Sequence, residues 1–232
     1  MDILEKLHIG TDAKCICVVG SGGKTSLLYY LAKCYQKQGK SVLFTTTTKM
    51  YLPKEYAVLS CDALEIKQKL EQWGFVVAGV ACGDGKMAGL PKHIWETAFP
   101  MADIVLVEAD GAKRLPLKLP NDTEPVIPKA CDFLVTVVGL SCLGKKLSMV
   151  CHRWQRAGVL GYDANTIVME KEMANILQMG YQTYWKQYNG CVFANQADCV
   201  TKEQARRLRN CLQVPYVWGS LQKEICGKEN KI

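Results

Sequence analysis

The stretch Gly20-Ser21-Gly22-Gly23-Lys24-Thr25-Ser26 stands between an apolar run, Cys15 to Val19, and a segment of helical periodicity, Ser26 to Gln38. Strand, glycine-rich turn and helix in that order read as one βα unit, and that context makes the turn a candidate phosphate cradle. Glycines let backbone N–H groups approach an anion closely. The helix that follows adds the positive end of its dipole, about half an elementary charge, at the same point. Lys24 is then placed to reach the outer phosphates of a nucleoside triphosphate, and the Thr25 hydroxyl to ligate Mg2+.

The rest of the chain repeats the alternation. Strands are expected at Cys15–Val19, Ser41–Thr46, Phe75–Gly79, Ile104–Glu108, Phe133–Val138, Gly190–Ala194 and Val214–Trp218. Several are continuous apolar runs, as strands covered on both faces require. Helices are expected at Lys24–Gln38, Ala63–Trp73, Lys92–Phe99, Lys171–Met179 and Lys202–Leu212. The first carries Leu27, Leu28, Leu31, Cys34 and Tyr35 at helical spacing. Gly83-Asp84-Gly85 predicts a hairpin or a loop excursion, and the prolines between Pro116 and Pro128 an extended loop. The fold class that follows is α/β, a three-layer P-loop NTPase-like fold with a mostly parallel central sheet. Residues 1–226 are expected to form one nucleotide-binding domain, and 227–232 a flexible basic tail.

With 232 residues, 49% of them hydrophobic, the chain has the material for a sizeable core. No apolar run approaches the roughly 18 residues of a membrane span, and the first fourteen residues carry no secretory signal, so the expected location is the cytoplasm with no membrane partner. The twelve cysteines include no C-x-x-C pair and lie mostly inside apolar segments, which reads as reduced, buried thiols rather than disulfides or a zinc site. The net charge is +7, with seven Lys or Arg against three Glu in residues 201–232. No aromatic platform accompanies that charge, so a solvated helix face is expected there and no nucleic acid.

In an open α/β sheet, ligands sit beyond the carboxyl ends of the strands. Ile104-Val105-Leu106-Val107 runs into Glu108-Ala109-Asp110, an apolar strand ending in acids, as in a Walker B segment. Glu108 and Asp110 are two apart and point the same way in extended geometry, so one can hold the metal and the other orient the attacking group. A second strand ends in Thr45-Thr46-Thr47-Thr48-Lys49, where Thr48 and Lys49 are candidates for sensing the terminal phosphate or a second substrate. Lys113, Arg114 and Lys118 follow the acidic pair and can neutralise an anionic second substrate, or serve only as surface charge.

The shortened loop, with Val18 where the usual phosphate loop has its first glycine, resembles that of the ATP-using Mur ligases. The strand Gly190–Ala194 ends in Asn195-Gln196-Ala197-Asp198, which resembles the N-K-x-D guanine-reading motif of GTPases, with Gln196 in place of the lysine. The aspartate of that motif accepts from two donors on guanine that adenine does not pair, so Asn195 and Asp198 favour GTP over ATP.

Taken together, G-S-G-G-K-T, T-T-T-T-K, E-A-D-G-A-K-R-L-P-L-K, E-P-V-I-P and N-Q-A-D resemble the YqeC family, from about Val18 to Ser220. That family is described as accessory proteins of selenium-dependent molybdenum hydroxylases. The resemblance implies a P-loop nucleotide-binding protein that matures or inserts a selenium-containing molybdenum cofactor, with a molybdenum hydroxylase or molybdopterin as partner. His152-Arg153 stands where relatives tend to have His-Arg-Pro, with Trp154 in place of the proline. Three readings follow: an Mg2+-dependent NTPase, an ATP- or GTP-dependent transferase or ligase acting on a small anionic acceptor, and a nucleotide-gated carrier with little turnover.

Overall fold

The computed structural model describes residues 2–224. The expected tail at 227–232 lies outside the described residues. Eight strands form one sheet, in the order Tyr216–Trp218, Gly190–Asn195, Phe133–Gly139, Cys15–Gly20, Ile104–Glu108, Val42–Thr46, Phe75–Ala78 and Ala57–Val58. Every pairing in it is parallel. The chain therefore has to cross over between strands, and helices make most of the crossings.

The central strands are buried at every position, with successive residues facing opposite cores, which shows why they read as unbroken apolar runs. Cys15, Cys17 and Val19 face one core with Val105, Val107, Leu134 and Val192. Ile16 and Val18 face the other with Leu106, Val135, Val137 and Phe193. Both faces are dry, so neither residue set can be polar. On the first face lie the helices Ala63–Trp73, Lys92–Ala98, Glu170–Gln187 and Lys202–Asn210, through Ile66, Ala98, Ile176, Leu177 and Leu208. On the second lie Lys24–Lys37, through Leu27, Leu28 and Leu31, and the short Ile3–Leu7. This is the expected three-layer, P-loop NTPase-like architecture.

Strand and helix bounds agree with the sequence reading to within two residues at most ends. The largest difference is the helix expected at Lys171–Met179, which runs Glu170–Gln187. Its apolar face continues through Gly180 and Tyr181, both buried, past the point where the helical spacing of small apolar residues thins out. The hairpin foreseen at Gly83-Asp84-Gly85 links Val80–Ala81 to Lys86–Ala88, and Lys49–Tyr51 completes a small antiparallel sheet. A parallel pair, Leu117–Lys118 with Cys151–His152, sets Lys118 opposite His152. Among the described residues all eleven cysteines are free.

The strand Cys15–Gly20 has Phe133–Gly139 on one side and Ile104–Glu108 on the other. The chain fills the sheet first towards Val42–Thr46 and then, from Phe133, in the opposite direction. The carboxyl end of Cys15–Gly20 is thus the switch point where an open α/β sheet leaves a crevice.

Candidate functional site

Gly20 to Thr25 occupy that crevice. The loop is pinned from below. Ser21 N–H donates to Val137 O at 2.8 Å, Gly20 N–H to Asp110 Oδ2 at 2.9 Å, and the Ser21 hydroxyl to Leu115 O. Gly22 has φ +88°, and a methyl there would stand 2.3 Å from Gly139 N. At Gly23, φ +128°, it would stand 2.4 Å from Asn195 Nδ2. Only glycine fits either position, so the loop sits this low in the crevice because its side chains are missing.

The helix Lys24–Lys37 starts without a side-chain cap and with no acid in its first turn. Leu27 N–H donates to Gly23 O at 2.9 Å; the amides of Lys24, Thr25 and Ser26 precede that first helical bond and have no acceptor within the helix. By contrast Ile3–Leu7, Ala63–Trp73 and Lys202–Asn210 are capped by Asp2, Asp62 and Thr201.

The helix end opens into a cavity of about 770 Å³. Ser21, Gly22, Gly23, Lys24, Thr25 and Ser26 are part of its lining, with Glu108. Thr25 Oγ1 donates to Glu108 Oε2 at 2.7 Å. Burial pushes the Glu108 carboxyl up, against the pull of the Lys24 ammonium and the Thr25 hydroxyl.

The structure separates the two acids that the sequence left interchangeable. Glu108 ends its strand at the cavity wall, whereas Asp110 lies wholly buried beneath the loop. Asp110 forms ion pairs with Lys24 Nζ at 2.7 Å and Lys118 Nζ at 3.0 Å, and its Oδ2 accepts from Gly20 N–H and from the Tyr181 hydroxyl at 3.3 Å. Lys24 also donates to Gly20 O at 3.0 Å and stands 3.7 Å from Glu108. Lys118, placed by the sequence among second-substrate candidates, has no exposed side-chain surface. Its ammonium bridges Asp110, Glu124 at 3.1 Å and Gly111 O. Glu124 in turn meets Arg153 at 2.8 Å. Burial raises the Glu124 pKa, but Lys118 and Arg153 outweigh it and hold the carboxyl below the usual range.

The threonine run pins the backbone. Thr45, Thr46 and Thr47 donate to Ala78 O, Glu108 O and Val126 O, and Thr48 N–H donates to Thr46 Oγ1 at 3.1 Å. Lys49, Lys113 and Arg114 line the cavity, while Thr48 does not. Asn195 is tied to the loop, donating from Nδ2 to Gly22 O at 2.9 Å and accepting from Leu221 N–H at 3.1 Å. Gln196 lines the cavity, with its Oε1 accepting from Ser141 at 2.6 Å. Asp198 is exposed outside the cavity lining, and a bond from Ser220 holds its carboxyl below the usual range.

Sequence reasoning missed Lys86, Tyr51, Glu124 and Arg153 as cavity residues, and Tyr181 beneath the loop. The turn at Gly83–Gly85 was the signal that a strand returns past Lys49 with Lys86 on it. No linear spacing announced Tyr181, which comes from within the helix Glu170–Gln187, 71 residues after Asp110.

An all-parallel three-layer sheet, with a glycine loop and an uncapped helix at the switch point and an acid at the end of the neighbouring strand, defines an α/β protein of the P-loop NTPase-like fold. The family profile described as YqeC protein matches residues 16–155. A protein of Escherichia coli (strain K12) described as "Uncharacterized protein YqeC" is 33% identical over 184 residues, covering 76% of this chain and 72% of that one. The chain belongs to the YqeC family.

Proposed function

We propose that the chain is an Mg2+-dependent P-loop nucleoside triphosphatase, using GTP in preference to ATP. It would act as an accessory factor in maturing a selenium-dependent molybdenum hydroxylase. The observation that carries the nucleotide reading is the end of the cavity where the unsatisfied amides of Lys24, Thr25 and Ser26 meet the Thr25–Glu108 pair. A triphosphate supplies the acceptors that those amides lack.

Hydroxyl and carboxylate oxygens are the hard donors that Mg2+ takes, and Thr25 Oγ1 with Glu108 is the fitting pair. Among the described residues no group of three or more His, Cys, Asp or Glu could hold a metal alone. When bound, the ion neutralises charge on the outer phosphates. Asp110 keeps the Lys24 ammonium at the base of the loop, in reach of the incoming phosphates. Asn195 buttresses Gly22 at the cavity's edge, and a guanine base reaching beyond the lining past Asn195 would meet the exposed, ionised Asp198 as its acceptor. The role in maturing a molybdenum hydroxylase rests on the family likeness alone.

Calorimetric titration with GTP, ATP and their non-hydrolysable analogues, with and without Mg2+, tests the reading. Micromolar, Mg2+-strengthened binding that Thr25→Ala weakens is expected. No binding of either nucleotide refutes it, and a preference for ATP removes the Asp198 assignment. A transferase acting on an anionic acceptor is the second reading, favoured by the cations Lys49, Lys86, Lys113 and Arg114 in the same cavity lining.

A further inference from the structure

The cavity is lined by six cations, Lys24, Lys49, Lys86, Lys113, Arg114 and Arg153, against two carboxylates, Glu108 and Glu124. Two of the six are neutralised: Lys24 by Asp110 and Arg153 by Glu124. Among the described residues the other four have no carboxylate within ion-pair distance. They come from three separate segments: the strand Lys49–Tyr51, the strand Lys86–Ala88 and the loop after Gly111. The pairing Tyr51↔Lys86 fixes two of those segments together, and the Arg114 guanidinium lies 4.4 Å over the Tyr51 ring. Lys86 Nζ stands 5.8 Å from the same ring. Tyr51 thus holds two cations on one mostly exposed aromatic platform.

The backbone also departs from its ordinary range here. Arg114 has φ +58° and Arg153 φ +61°, a left-handed conformation that a side chain with a Cβ disfavours. Both arginines line the cavity. His152 lies beside them, and its buried Nδ1 has no hydrogen-bond partner. Burial, then the charges of Arg153, Lys118 and Lys113, push its pKa down to about 4, so the ring is neutral at pH 7. A wall of uncompensated cations, drawn from distant segments and backed by an unsatisfied neutral imidazole, is repulsive until an anion with several oxygen atoms fills it.

We propose that this wall is a second binding site, for a phosphorylated small molecule held at the same time as the nucleotide, with Lys49, Lys86, Lys113 and Arg114 as its phosphate contacts. The proposal rests on the loop end of the same cavity being the nucleotide site. The loop has its own donors for a triphosphate, in the helix amides and Lys24, which leaves the four unpaired cations for another anion.

The test uses the full chain and inorganic pyrophosphate as probe, titrated calorimetrically into protein saturated with a non-hydrolysable GTP analogue and Mg2+. One pyrophosphate is expected to bind the saturated protein, more weakly as salt is raised. The double variant Lys86→Ala/Arg114→Ala is expected to lose at least about tenfold in pyrophosphate affinity, the effect of one charge-assisted hydrogen bond. Its affinity for the GTP analogue should stay within about twofold, since among the described residues neither side chain forms a hydrogen bond or ion pair with Gly20 to Ser26 or with Glu108. No pyrophosphate binding to the saturated protein overturns the proposal. So does a matching loss of GTP-analogue affinity in the double variant, which would assign the wall to the nucleotide itself. If no nucleotide binds at all, the nucleotide reading fails separately. Pyrophosphate binding that Lys86→Ala/Arg114→Ala abolishes and Thr25→Ala spares would then still support the second site.

Discussion

Replacing Asp110 with Asn tests the central electrostatic claim about the loop. The carboxylate is fully buried and receives two ammonium groups, an amide and a hydroxyl. The amide side chain of Asn offers one acceptor oxygen where there were two, and its NH2 group would face donors. More costly still, Lys24 and Lys118 would share a dry site without the charge between them. Removing one member of a buried ionic cluster costs about 3–5 kcal/mol, because the remaining charges are left uncompensated. For a domain of this size that lowers the melting temperature by about 6–20 °C. Thermal unfolding followed by circular dichroism at pH 7.5 measures it, with Glu108→Gln as the comparison. Glu108 keeps access to the cavity and shares only a 3.7 Å contact with Lys24, so its neutralisation is expected to cost much less. A fall of less than about 2 °C for Asp110→Asn would refute the account of Asp110 as the anchor of Lys24 and Lys118.

Other outcomes follow from the same geometry. Glu108→Gln should weaken the Mg2+ dependence of nucleotide binding about tenfold or more while leaving Mg2+-free binding nearly unchanged, measured by calorimetry. The Glu124 carboxyl is held below its unfolded pKa by Lys118 and Arg153, so it stabilises the fold above about pH 4.3 and that contribution is lost as pH falls through the folded value. Glu124→Gln should flatten the acid limb of stability against pH, and an unchanged limb would contradict the pairing. His152 has its pKa lowered to about 4, so its imidazole signals, identified by their loss in His152→Asn, should titrate near pH 4 rather than 6.5. Cys142, Cys151 and Cys191 have thiols pushed up to about 12, whereas Cys82 and Cys199 are exposed. An aromatic disulfide reagent at pH 8 should label Cys82 and Cys199 quickly and the other three only after denaturation.

The sheet was legible because its strands are buried on both faces. An apolar run such as Ile104–Val107 ending in Glu108 has one sensible place, a central parallel strand whose last residue meets the crevice. The loop was legible for a similar reason: Gly22 and Gly23 occupy positions that no other residue fits. What the sequence left open was the division of labour among charges. Glu108 and Asp110 are equivalent in extended geometry, and only the return of nearby Lys118 and the arrival of Tyr181 from a distant helix bury one and leave the other at the wall. Lys118 looked like a partner of Lys113 and Arg114 because they are neighbours in the chain. The pairing of Leu117–Lys118 with Cys151–His152 turns it inward instead. The threonine run suggested phosphate contacts, but three of its hydroxyls are used to fasten backbone carbonyls from three different segments.

The two margins of the sheet are its shortest strands, Ala57–Val58 and Tyr216–Trp218. A foreign strand laid along either would find few open backbone groups to zip against, and a ladder that brief gives little grip. Eight strands rich in valine and leucine would otherwise be a template for unlimited lateral growth. Here that growth has almost no footing, and aggregation by edge addition is disfavoured without any charged guard residue on the margin strands themselves.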